Sequence, residues 1–207
     1  MTTTVLITRH GASEHNLTTH LFMGRAPASR LVEAGREQAR RLGRRLAREA
    51  PPARIVCSSL PRTVETAEII AALTGDPPVA PEDDLWELSK GDWEGAMPNP
   101  PPAAEQARVA ADPFGFRYRG GESYADVVAR AAPVFDRHLA APPAGALLFV
   151  LHGDVIRALL YHALRFPPER IGAFQTDPCA LTEFRAGPEG LHLVRFNDAC
   201  HLGPDAP

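Results

Sequence analysis

The sequence predicts an α/β fold in which strands and helices alternate around a mostly parallel sheet. Three observations predict it. Short apolar, β-branched runs recur along the chain, and most are followed by a stretch with helical periodicity. Two of those runs end in the same pair of residues, as Val5-Leu6-Ile7-Thr8-Arg9-His10-Gly11 and Phe149-Val150-Leu151-His152-Gly153. Pro and Gly gather between the runs, where the chain must turn.

Residues 4–8 form the first strand, buried and β-branched, running straight into Arg9-His10-Gly11. A helix follows over 32–49: Ala39, Leu42 and Leu46 share one face, and Arg36, Arg40, Arg41, Arg44, Arg45 and Arg48 crowd the other. That arginine face reads as a solvated surface rather than a nucleic-acid stripe. Pro51-Pro52 ends the helix. A second strand over 54–57 turns through Ser58-Ser59-Leu60-Pro61 into a helix over 62–73, with Pro in the first turn where its missing N–H costs nothing. Asp76-Pro77-Pro78 interrupts the chain again.

Residues 96–119 carry Pro98, Pro100, Pro101, Pro102 and Pro113 around a short helical stretch, and read as a lid or insertion over the sheet edge. Ser123-x-x-Asp126 is a capping box opening a helix to about residue 139. The most apolar run, 146–151, is a central strand; it ends at His152-Gly153-Asp154 and gives way to a helix over 155–164. Two further strands are expected over 180–185 and 191–196.

A chain of 207 residues suffices for one domain, 1–207, with a closed core. Its 22 basic and 25 acidic residues leave a net charge of −3, without the basic excess of a non-specific nucleic-acid binder. With 44% apolar and 23% charged residues, general disorder is excluded. No window of 18 apolar residues offers a membrane span, and the start lacks the basic and apolar regions of a signal peptide, so no membrane partner is expected. Cys57, Cys179 and Cys200 form no CxxC pair and leave an odd thiol, which suits the reducing cytoplasm. The eight histidines lack metal-ligand spacing, and neither a metal nor another cofactor is called for.

If the two strands ending in His-Gly lie parallel in one sheet, His10 and His152 emerge together at its carboxyl edge, where open α/β sheets place ligands. Gly11 and Gly153 would let the backbone turn sharply and a ligand approach closely. Arg9 stands beside His10, and the strand ending at Cys57 delivers Arg62 to the same edge. Two guanidinium forks match a phosphate in shape and charge, and a neutral imidazole is a nucleophile for phosphorus. The leaving oxygen needs a proton, and Glu87, in Leu85-Trp86-Glu87-Leu88, has apolar neighbours that would keep one on it. Singly, His152 reads as a strand-end histidine, Arg62 as a surface charge and Glu87 as a loop carboxylate. Their common arrival at one edge carries the functional reading.

These residues resemble the histidine phosphatase superfamily, also called phosphoglycerate mutase-like, over nearly the whole chain. Leu6-Ile7-Thr8-Arg9-His10-Gly11 with Glu14 and Asn16 resembles its N-terminal signature; Cys57-Ser58-Ser59-Leu60-Pro61-Arg62 with Thr66-Ala67-Glu68 is similar to its second block. Glu87 with Gly91-Asp92-Trp93-Glu94-Gly95, then Gly120-Gly121-Glu122-Ser123, Leu151-His152-Gly153-Asp154-Val155-Ile156-Arg157, and finally Asn197-Asp198 with His201-Leu202, resemble the rest. The resemblance implies a three-layer α/β/α sandwich. It also implies a phosphohistidine at His10, a phosphoryl group held by Arg9, Arg62 and His152, and Glu87 as proton donor and then base.

Gly11, Asn16, Gly24, Arg25 and Gly153 are the further candidates for binding phosphate or substrate. Arg25 reads equally as a surface charge and Asn16 as a turn or cap residue. Asp154 and Arg157 read as a structural pair at the start of their helix. Around the substrate loop the chain departs from the family pattern, with His15 before Asn16 and Ala28-Ser29-Arg30-Leu31 in place of Asp-x-Pro-Leu.

The function expected is a metal-independent phosphatase, a hydrolase acting on a small-molecule phosphomonoester. Its rival, a phosphoglycerate mutase, would want more basic residues in the lid than Arg108, Arg117 and Arg119. A silent phospho-ligand binding module would have lost His10 or Glu87, and both are present. An edge strand leaves room for a homodimer.

Overall fold

The computed structural model describes residues 2–17, 24–95 and 101–203. Six strands form one sheet: β1 (Thr3–Arg9), β2 (Pro52–Ser58), β3 (Val79–Glu82), β4 (Ala146–Leu151), β5 (Leu181–Gly187) and β6 (Gly190–Asp198). They lie in the order β3-β2-β4-β1-β5-β6. The first four are mutually parallel, and β5 and β6 complete the sheet antiparallel. Among the described residues six α-helices accompany them: α1 (Glu14–Leu17), α2 (Glu33–Glu49), α3 (Pro61–Leu73), α4 (Ala103–Ala111), α5 (Tyr124–Ala140) and α6 (Gly153–Leu164).

Side chains alternate across the central strands and build a core on each face. Leu147, Phe149 and Leu151 of β4, with Val5 and Ile7 of β1, pack against Val127, Val134 and Phe135 of α5 and Val155 and Leu159 of α6. Leu148, Val150 and Leu6 face the other way, toward Leu42 and Leu46 of α2 and Ala67 and Ile70 of α3. The result is a three-layer α/β/α sandwich. All six residues of β4 are buried, as befits a strand covered on both faces.

The capping box at the start of α5 forms as its sequence predicts: Asp126 N–H donates to Ser123 Oγ, and Ser123 N–H to the Asp126 carboxylate. Strand β3 is absent from the sequence expectation because Pro81 falls inside it. The proline is tolerated because β3 is an edge strand, paired only with β2. A second difference is Arg45, expected on the solvated face of α2. Its side chain is 4% exposed and donates inward, from Nη2 to Asp198 at 2.6 Å and from Nε to Glu49 at 3.1 Å. Arg36, Arg40, Arg41 and Arg44 of that helix meet carboxylates of Glu33, Glu37 and Glu65 at its surface.

Of the expected lid, residues 96–100 lie outside the described residues. The rest forms α4, none of whose residues is buried, and a return segment carrying Phe114, Phe116 and Tyr118. Tyr118 meets Trp93 edge-on with ring centroids 5.0 Å apart, and Phe114 packs on Tyr161 of α6 at 4.5 Å. Aromatic contacts therefore fasten the lid's base. Among the described residues no helix is long and apolar enough to cross a membrane.

The loop leaving β1 passes so close to α2 that both backbones lack a Cβ where they cross. A Cβ on Gly35 would overlap the Ala12 carbonyl oxygen, and one on Gly11 would overlap the Gly35 carbonyl. Gly35→Ala is expected to destabilise the fold by about 3 kcal/mol, overpacking outweighing the ~1 kcal/mol helix-propensity gain. The melting temperature should fall by about 5–10 °C. Gly172→Ala, where a Cβ meets open space, should shift stability by less than about 0.5 kcal/mol.

Candidate active site

The site lies at the carboxyl edge of β2, β4 and β1, three adjacent parallel strands. Register pairs Arg9 with Leu151, and His10 N–H continues the ladder by donating to the Leu151 carbonyl at 2.9 Å. His10 and His152 consequently leave neighbouring strands at the same height. Their rings meet edge to face with centroids 5.2 Å apart.

The tautomer of His10 follows from its partners. Nδ1 lies 2.7 Å from the Gly11 carbonyl, which can only accept, so Nδ1 carries the proton. Nε2 receives a hydrogen bond from Arg62 Nε at 3.3 Å, which can only donate, so Nε2 holds a lone pair. The ring is 2% exposed.

His152 is fully buried, with Nε2 2.8 Å from Ser58 Oγ at the end of β2. That oxygen already accepts from Leu60 N–H, and among the described residues its own proton has Nε2 as its acceptor. The ring proton then sits on Nδ1, which has no partner among the described residues. Burial, followed by the Arg62 charge, pushes His152 well below the ordinary histidine range and keeps it neutral.

Arg62, 1% exposed, sits in the first turn of α3 and spans the site: Nε reaches His10, and Nη1 donates to the Arg25 carbonyl at 2.9 Å and the Ala26 carbonyl at 3.1 Å. Burial draws it down to about 10, still above neutrality. Thr66, one turn along α3, joins the two elements by accepting from Gly11 N–H and donating to the Arg62 carbonyl. Arg9 donates from Nη1 to the Thr176 carbonyl at 2.9 Å, and burial lowers it as well. Arg9 Nε and Thr176 Oγ1 are buried without a partner among the described residues. Both flank Gly153, where a Cβ would lie 3.2 Å from Thr176 Oγ1 and 3.9 Å from Arg9 Nε. Three unpartnered buried polar atoms in one site mark where a polar ligand is accommodated.

Glu87 follows a short turn after β3. Its Oε1 accepts from Leu88 N–H at 2.9 Å, and its Oε2 from Asp154 N–H at 3.5 Å. Burial first, then the neighbouring Asp154 charge, raises Glu87 above the ordinary carboxylate range, although Lys90 and Arg62 oppose this. Asp154 moves the opposite way. Burial works against its ionisation, but Lys90 and Arg157, with Tyr124 donating to its carboxylate, hold it well below the usual range. Two adjacent carboxyl groups with protonation pushed apart are the arrangement an acid beside an anion requires.

The structure thus brings Arg9, His10, Arg62, Glu87 and His152 to one edge. The glycines differ from expectation in their physical reason. Neither Gly11 nor Gly153 has a positive φ, so no sharp turn demands them. Gly11 is small for the crossing with Gly35, and Gly153 for the approach of Thr176. Gly24 has φ +47° and lies against the Glu94 carboxylate, which also accepts from Lys90 N–H. Asn16 uses its Oδ1 on Ser13, at 2.9 Å from both N and Oγ, the contact of a turn residue. Arg25 pairs with Glu122 at 3.2 Å and stacks over Trp86 at 5.2 Å. Ser58, Thr176, Lys90 and Tyr124 were not singled out in the sequence. Only Ser58 had a signal, its place at the end of a strand beside the two that end in histidine.

Comparison with known proteins gives concordant findings. Residues 5–199 match the histidine phosphatase superfamily (branch 1). Phosphoglycerate mutase-like protein 4 of Arabidopsis thaliana is 31% identical over 77% of this chain and 70% of its own. The mitochondrial serine/threonine-protein phosphatase Pgam5 of Caenorhabditis elegans is 31% identical over 84% of this chain, which spans 58% of that protein's length. In structure, the native mycobacterial glucosyl-3-phosphoglycerate phosphatase superposes with a TM-score of 0.83 at 26% identity, covering 96% of this chain and all of that one. Fold, strand-end histidines and sequence agree, and the chain belongs to the histidine phosphatase superfamily, branch 1.

Proposed function

We propose that the protein is a phosphomonoesterase that hydrolyses a small phosphorylated metabolite through a phosphohistidine at His10. The observation that carries this reading is the tautomer of His10, whose Nε2 lone pair is held beside Arg62 while Nδ1–H is fixed to the Gly11 carbonyl. Nε2 attacks phosphorus as the bond to the leaving oxygen breaks, and Glu87 gives that oxygen its proton. Water then enters. Glu87, now a carboxylate, takes one of its protons; the oxygen attacks phosphorus, the P–Nε2 bond breaks, and phosphate departs with Glu87 protonated again. Arg9, Arg62, His152 Nδ1–H and the Thr176 hydroxyl supply positive charge and hydrogen bonds to the phosphoryl oxygens, whose charge must be met throughout.

The lid supports hydrolysis over isomerisation. Arg108, Arg117 and Arg119 are exposed and each has its own carboxylate, in Glu105, Asp126 and Asp92 respectively. None is left to clamp a substrate carboxylate. The mycobacterial phosphatase, by its name, takes a glucosyl phosphoglycerate, which is a small phosphate ester of the class proposed.

The test is phosphate release from a panel of small phosphomonoesters in EDTA, with isomerisation of 3-phosphoglycerate followed in parallel. Hydrolysis at an EDTA-insensitive rate, within about twofold, is expected, since the cationic side chains already offset the phosphoryl charge. Isomerisation without phosphate release would make the protein a mutase. Silence in both assays would favour a binding role.

A further inference from the structure

Glu87 is surrounded by cations. Lys90 follows it on the same loop, Arg62 comes from α3 and Arg9 from β1. Arg25 and Arg130 reach its backbone carbonyl from the 24–26 loop and α5, and both also pair with Glu122. These cations favour the ionised carboxylate and oppose the burial that raises Glu87. Asp154 is the anion set among them. Its carboxylate receives Lys90 Nζ at 3.2 Å, Arg157 Nη1 at 2.7 Å and the Tyr124 hydroxyl at 2.5 Å, while its backbone N–H faces Glu87 Oε2.

We propose that Asp154 is a positioning residue for the reaction: by engaging Lys90 and Arg157 with its carboxylate it keeps Glu87 in the proton-bearing form that the first step consumes, while its backbone N–H holds the Glu87 side chain in place. The proposal rests on the reading of Glu87 as the acid. It assigns two duties to one residue that can be separated, because Asp154→Asn retains the backbone N–H and the side-chain shape and removes only the charge. It also gives a reason for an acidic residue directly after His152-Gly153: the first turn of α6 lies both beside His152 and against the Glu87 loop.

The experiment is the pH dependence of kcat/KM on two esters, glycerol 2-phosphate and p-nitrophenyl phosphate. An alkoxide leaving group needs the acid's proton and a nitrophenolate scarcely does. In Asp154→Asn the basic limb for glycerol 2-phosphate should move to lower pH by about one unit or more. The loss at neutral pH should be larger for the alkyl ester than for the aryl ester, a difference that a merely structural role would not produce. Lys90→Met removes an opposing cation and should move the limb upward; if Asp154→Asn does not fold, Asp154→Ser, which also keeps the backbone N–H without the charge, takes its place. A limb that stays within about 0.2 units of wild type in the folded variants overturns the proposal. Glu87→Gln separates this failure from failure of the underlying reading. If the limb vanishes in Glu87→Gln but does not move in Asp154→Asn, the acid is right and Asp154 is not its positioning residue. If Glu87→Gln keeps the wild-type limb, both fall.

Discussion

Replacing His10 with Ala is expected to lower phosphate release by about four orders of magnitude or more, because the covalent route then has no nucleophile. That corresponds to about 5 kcal/mol of lost transition-state stabilisation. Among the described residues the neighbouring imidazole is no substitute. His152, the other imidazole, is engaged at Nε2 by Ser58 and presents Nδ1–H, a donor rather than a lone pair. The fold should survive, since the hydrogen bonds that His10→Ala removes, to the Gly11 carbonyl and from Arg62, are worth about 1–3 kcal/mol together in a site otherwise held by the strand ladder. Wild type quenched in alkali during turnover should carry a phosphoryl label that acid releases, and His10→Ala should carry none. Activity within tenfold of wild type in this variant would reject the covalent mechanism.

The sequence exposes those parts of the site that are local in the chain. His10 and His152 each end an apolar strand, so one inference about parallel neighbours puts both at the same edge, and the register of β1 with β4 bears this out. Arg9 follows from adjacency, and Arg62 from the turn after β2. The surroundings of Glu87 are different in kind. Lys90, Tyr124, Arg130 and Asp154 come from a loop and two helices, and no periodicity connects residues that meet only through packing. Arg45 was misplaced for a similar reason: helical periodicity puts it with the other arginines of α2, but its partner Asp198 arrives from the end of β6. Strand β3 was hidden by Pro81, a residue that argues against a strand unless the strand is known to be at an edge. Gly11 was recognised and its reason was not, because a clash with Gly35 is a tertiary fact.

Arg62→Lys is expected to reduce kcat/KM by about 10²- to 10³-fold although it conserves charge. The guanidinium meets three partners in three directions: His10 Nε2 from Nε, and the Arg25 and Ala26 carbonyls from Nη1. A lysine ammonium, with three hydrogens on one nitrogen, cannot reach His10 and the 24–26 loop at once. If it stays with the carbonyls, His10 loses the donor that fixes its Nε2. If it moves toward His10, two carbonyls in a part-buried setting lose their partner, at about 1–3 kcal/mol of stability. Protonation makes the substitution worse. The burial that draws Arg62 down to about 10 would draw a lysine below its ordinary range as well. The residual activity should therefore fall at a lower pH than in wild type, whose arginine keeps its charge to about 10. A pH profile of kcat/KM with a phosphate ester of a good leaving group, for which Glu87 matters least, isolates that limb. Activity within threefold of wild type across the profile would show that charge alone suffices at this position, and that the three-way geometry of Arg62 is dispensable for phosphoryl transfer.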